Sequence, residues 1–112
     1  MTEPAIKANI WVKAQIRICD ANFIPAVVAR RGDPDAGSIL LKLNRMNEGV
    51  EVLSQVRTAE GERAWMRGTG DNLVNEEQAD AYIDKQLNFD PDIWVLEIED
   101  PERRYEIEGQ II

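Results

Sequence analysis

The chain of 112 residues contains no histidine and a single cysteine, Cys19. Without histidine there is no Ser-His-Asp or Cys-His catalysis, no imidazole proton shuttle and none of the usual zinc sites. One cysteine allows no internal disulfide. With histidine also absent, a structural zinc or iron–sulfur site has no ligands within one chain. Any metal would have to be held by carboxylates, which points to magnesium, manganese or calcium. Cys19 has no histidine to activate it and reads as a small buried apolar residue. No apolar run approaches the roughly 18 residues of a membrane span. The opening MTEPAIKANI lacks the basic-then-apolar pattern of a secretory signal. A bacterial-type cytoplasmic setting is the expectation, with no membrane partner.

What is present suits one globular domain spanning 1–112. At 44% hydrophobic and 30% charged residues, the chain can build a core and is not of disordered type. The net charge of −8 is uneven: residues 1–57 sum to +2 and residues 58–112 to −10. The acidic half speaks against nonspecific nucleic-acid binding, which needs a basic surface. It reads first as a solvated acidic face, and second as a surface for a basic partner or for self-association.

The segment AIKANIWVKAQIRICDANF fits both periods. As a helix, Asn9, Lys13, Arg17 and Asp20 share a polar arc between two apolar flanks, Ile10, Trp11, Ala14, Ile18 and Val12, Ile16, Cys19. As a strand, Ile10, Val12, Ala14, Ile16 and Ile18 alternate with the rest. Its length and the Asp20-Ala-Asn stop favour a helix, buried or in an interface. IPAVVARRG, GSILLKLNRM, VEVLSQVRT and RAWMRG read as four strands joined by turns, hence an antiparallel meander. NEEQADAYIDKQLNF reads as a helix, with Asn75 as cap, Glu76 and Glu77 in the first turn, and a stripe of Ala79, Tyr82, Ile83 and Leu87. DIWVLEIED is a clear strand, and RRYEIEG reads as an edge strand guarded by Glu106 and Glu108. The expected fold is α+β: an antiparallel sheet, a meander of about four to six strands, packed with two helices on one face, in the order α-β-β-β-β-α-β-β.

The words IWV, RRGDPDAGSILLKLNR, RAWM and ADAYI…Q…FDPDIWVLEIED occur in that order over about residues 6 to 100. In order and spacing the chain resembles the alphaproteobacterial family known as domain of unknown function 1491. The resemblance implies a helical first segment. It implies no activity and supplies no catalytic residues.

Each candidate chemistry has a plainer rival. Arg31-Gly32-Asp33 as an adhesion triplet would need a secreted protein. The loop GDPDAG lacks the Lys-Ser/Thr of a phosphate loop, and its aspartates would repel phosphate. Asp33 and Asp35 could join Asp90 and Asp92 of the second DPD in a magnesium or manganese site supporting hydrolysis. The plainer reading is turn chemistry: Asp33 accepts backbone N–H groups, Pro34 presets φ, and Gly37 supplies a positive φ. Glu97, Glu99 and Asp100 read as a solvated strand end rather than an acid–base pair. Trp11, Trp65 and Trp94 read as core. Arg30, Arg31, Lys42 and Arg45, with Arg17 and Arg57 near them, could form a face for an anion or a partner. No cofactor is indicated. The leading expectation is a non-enzymatic binding or interaction module, taking a protein partner or forming a homodimer. The alternatives are a metal-dependent hydrolase or nuclease on the four aspartates, and an anion or nucleic-acid binder on the basic N-terminal half.

Overall fold

The structure, a computed structural model, describes residues 7–112. Chain order is α1 (Ala8–Ala21), β1 (Ala26–Arg30), β2 (Ile39–Asn44), β3 (Val50–Arg57), β4 (Arg63–Arg67), α2 (Glu76–Phe89), β5 (Trp94–Glu99) and β6 (Gln110–Ile111). This is the α+β order expected. Residues 1–6, including the first part of AIKANIWV, lie outside the described residues. Among the described residues no helix is long and apolar enough to cross a membrane.

Two helices start and stop for local reasons. Asn75 accepts from the Gln78 N–H at 2.8 Å while the Gln78 side chain accepts from the Asn75 N–H, a capping box, and Glu76 and Glu77 occupy the first turn of α2. Pro91 lies just past its end. α1 has no side-chain cap at its start, and Asn22 closes its end by donating to the Ile18 carbonyl at 2.8 Å.

The sheet has six strands in the order β1-β5-β2-β3-β4-β6. Of the four strands expected in an antiparallel meander, β2, β3 and β4 form one and β1 does not join it. The sheet as a whole is mixed, because β5 runs parallel to β2 and β6 parallel to β4. β5 inserts between β1 and β2, so no hairpin joins those two strands. The reason lies in burial: four of the six β5 residues, Trp94, Val95, Leu96 and Ile98, are buried, covering both faces, and a strand apolar on both faces belongs inside a sheet. β1 is exposed at alternate positions and takes the edge.

The helices lie on opposite faces, contrary to the one-face expectation. α1 packs through Trp11, Val12 and Cys19 on Ile39, Leu41, Leu43, Leu53, Trp65, Trp94, Leu96 and Ile98. α2 packs through Ala79 and Ile83 on Leu40, Val50, Val52, Ile93 and Val95. Strand alternation sends successive residues to the two sides, so both faces of the central strands are apolar and each needs a cover.

RRYEIEG is not an edge strand. It is a strap across the α1 face, from the end of β5 to β6 on the far edge. Tyr105 and Ile107 pack on the core under α1, the Tyr105 hydroxyl donates to Gln15 Oε1 at 2.7 Å, and Trp65 Nε1 donates to the Glu108 carbonyl at 2.8 Å.

Candidate interaction surface

α1 divides its apolar residues between two sides. Trp11, Val12 and Cys19 face the sheet, with Gln15 buried among them. The flank Ile10, Ala14, Ile18 faces outward, with Ile10 55% and Ile18 49% exposed. One helix face can contact one sheet, so a helix apolar around so much of its circumference leaves a stripe uncovered. Phe23, 88% exposed, follows directly after the helix with a left-handed φ of 58°. Lys13 and Arg17 run beside the stripe.

The charges at the ends of α1 oppose its dipole. Lys7 sits at the N-terminal cap and Asp20 in the last turn, with no acid in the first turn and no base in the last. Each would be better placed at the other end of a helix.

The four basic residues singled out from the sequence do not form one face. Arg31 lies over the Trp94 ring on the α1 side, 5.7 Å from its centroid. Arg30 donates to the Pro91 carbonyl at 3.1 Å. Arg45 is buried, bonding Asp100 at 3.2 Å and Glu51 at 3.4 Å. Lys42 is buried under α2, 2.7 Å from Glu76, 3.0 Å from Asp80 and 3.6 Å from Glu97. Burial alone would lower the Lys42 pKa. The hydrogen bonds to Glu76 and Asp80 and the Glu97 charge outweigh that and hold the ammonium above the ordinary lysine value. Arg30 and Lys42 share an open cleft of about 310 Å³ beside α2, but Asp80, Asp84 and Glu97 line it too.

The two DPD turns do meet, through backbone rather than carboxylates. The Asp33 N–H donates to the Asp92 carbonyl at 2.9 Å, and Trp94 Nε1 donates to the Asp33 carbonyl at 2.7 Å. The Asp33 carboxylate accepts the Asp35 and Ala36 N–H groups, and the Asp90 carboxylate accepts the Asp92 N–H. Asp35 pairs with Lys7 at 3.6 Å. Among the described residues no three carboxylates or cysteines are grouped to hold a metal ion. Gly37 is not in the left-handed region expected of it. Glycine is required there because a Cβ would stand 2.5 Å from the Asp92 carbonyl, and at Gly32 a Cβ would meet the same oxygen.

Asp100 is the functional-looking residue that sequence reading undervalued. It is 2% exposed, and besides Arg45 its carboxylate accepts the Arg104 N–H at 2.9 Å and the Tyr105 N–H at 2.8 Å. It fixes the start of the strap. Asp before Pro at a strand end was the available signal. Cys19 is fully buried, and burial followed by the Asp100 charge raises its thiol pKa, so it behaves as an apolar core residue.

Comparison with known proteins supports the fold and the family. The family described as "Protein of unknown function (DUF1491)" matches residues 6–108. A crystal structure of a DUF1491 family protein from Caulobacter crescentus CB15 is 35% identical, with a TM-score of 0.84, covering 96% of this chain and 100% of that one. An NMR structure of a DUF1491 family protein from the same organism is 34% identical, with a TM-score of 0.83, covering 98% and 99%. The solution structure of protein Atu0922 from A. tumefaciens, 24% identical with a TM-score of 0.74 and covering 91% and 88%, shares the fold. No curated protein matches.

Proposed function

This chain belongs to the DUF1491 family of proteins of unknown function, and we propose that it is a non-enzymatic binding module that pairs with a second copy of itself through the outer face of α1. The observation that carries this reading is the exposed stripe Ile10, Ala14, Ile18. It is symmetric about its small central residue. A second α1 laid antiparallel across Ala14 sets Ile10 of each copy against Ile18 of the other, as a two-fold interface requires. The same pairing brings Lys7 of one copy toward Asp20 of the other. It also sets each helix's start beside the other's end, which relieves both unfavourable charge placements. We place the module in the cytoplasm, where the reduced, unpaired Cys19 would be at home.

A patch of about one helix binds weakly, so the dimer is sought by sedimentation velocity up to on the order of 1 mM protein. The wild-type chain should shift from monomer to dimer with concentration. Ile10→Glu with Ile18→Glu should hold it monomeric while leaving the melting temperature nearly unchanged, since both positions are solvent-facing. A wild-type monomer throughout, or a dimer indifferent to both changes, overturns the reading.

A further inference from the structure

A second feature of the α1 side is independent of the dimer. β3 and β4 pair so that Arg57 stands directly opposite Arg63. Both point to the α1 face, since Leu53 and Trp65 of the same strands lie in the core under α1. Like charges directly opposed across a strand pair cost stability. Neither arginine has an acidic partner within ion-pair distance among the described residues; Arg57 donates to the Gly61 carbonyl at 3.1 Å. Arg63 lies over the buried Trp11 ring, its guanidinium carbon 5.1 Å from the centroid. Its Nε is buried and makes no hydrogen bond among the described residues. A buried donor without an acceptor is costly and calls for one.

Both arginines open onto a cleft of about 390 Å³ between the start of α1, the β1–β2 crossing loop and the β3–β4 pair. That volume lies within the range of small-molecule sites, roughly 300–1,000 Å³. Two further donors line it. Gln55 uses its Oε1 to accept the Ile39 N–H at 3.0 Å, which leaves its NH₂ as a donor. Ser38 contributes a hydroxyl. One acid, Asp35, is on the rim; it is well exposed and already paired with Lys7.

We propose that this cleft binds a small oxyanion, the carboxylate or phosphate group of a metabolite-sized molecule, between Arg57 and Arg63, with Gln55 and Ser38 as supporting donors. Planar guanidinium forks suit both groups, because each offers paired oxygens to paired N–H donors. An anion there offers acceptors to the guanidinium groups that line the cleft and removes the repulsion across the strand pair. Burial lowers the Arg63 pKa and the Arg57 charge lowers it further, against a smaller opposing effect of Glu108.

The test is an NMR titration of ¹⁵N-labelled protein with inorganic phosphate and separately with citrate, sodium chloride holding ionic strength constant. Saturable shifts are expected at Arg63 Nε–H, Trp11 Nε1–H and the amides of Ser38 and Gln55. The better of the two probes reports which oxyanion the cleft prefers. Arg57→Ala, at an exposed position, should weaken binding by about tenfold or more while the spectrum stays folded. Arg63→Lys keeps the charge but loses the fork and the stacking, and should weaken it comparably. Linear shifts that never saturate overturn the proposal. Saturation at other residues, or binding unchanged in both variants, does so too.

Discussion

On the α1 face one buried carboxylate, Asp100, ties down a crossing stretch of chain. On the α2 face one buried ammonium, Lys42, ties down a helix. The two are built differently. Asp100 is nearly sealed and is satisfied by two backbone N–H groups and the buried guanidinium of Arg45. Lys42 reaches out from the sheet to three carboxylates, of which Glu76 and Asp80 are more than half exposed. A buried charge whose partners are also buried is costly to orphan. One whose partners stand in water leaves them solvated when it goes. The α1 face should therefore be the more sensitive of the two.

Asp100→Ala would break the comparison hardest. It leaves the buried Arg45 with Glu51 as its one carboxylate beside the residue-100 carbonyl, strands two backbone donors, and should cost about 3–5 kcal/mol, read as a lower urea midpoint. A loss near zero would mean that the strap is held by Tyr105 and Ile107 alone. Lys42→Ala should cost less, about 1–3 kcal/mol. Its pH dependence has a definite sign. The folded pKa stands above the unfolded one, so the contribution is complete below the unfolded value of about 10.4 and fades as pH rises beyond it. Urea midpoints of wild type and Lys42→Ala should differ by a constant amount from about pH 6 to 9 and converge only at higher pH. Asn75→Ala removes the cap of α2 and should cost about 1 kcal/mol, measured the same way. A cost well above that of Lys42→Ala would show that the helix start, not the ion cluster, holds α2 to the sheet.

The faces also differ in what they leave open. α2 presents mostly charge to solvent, with Glu76, Glu77, Asp80 and Asp84 all exposed. α1 presents the Ile10 and Ile18 stripe, and next to its start lies the Arg57–Arg63 cleft. Both proposed binding features fall on one side of the sheet.

Much of the candidate surface was half legible. The sequence shows α1 as apolar around most of its circumference, which already means core or interface. Which flank would be covered depends on how the helix is rotated on a sheet assembled from strands as distant as β5 and β6 near the other end of the sequence. The basic set illustrates the limit more sharply. Lys42 and Arg45 look like surface charges on a strand, yet both are buried, because α2 and Asp100 arrive from the second half of the chain to neutralise them. Arg63 carries no signal within RAWM, since its meaning comes from register: only the β3–β4 pairing sets it opposite Arg57.

By itself the sequence determined what short-range physics can determine. The period of the apolar residues, helped at α1 by segment length and a stop signal, fixed most of the elements and their order. Asn75, Glu76 and Glu77 fixed the start of α2, and Asp33 with Pro34 fixed a turn. The lack of histidine removed whole classes of chemistry. Only the tertiary structure decided that β5 parts β1 from β2, that the helices take opposite faces, that Gly32 and Gly37 are glycines for want of space, and that RRYEIEG is a strap. Those outcomes depend on long-range burial and pairing, which cost chain entropy before they repay it and leave no periodic mark on neighbouring residues.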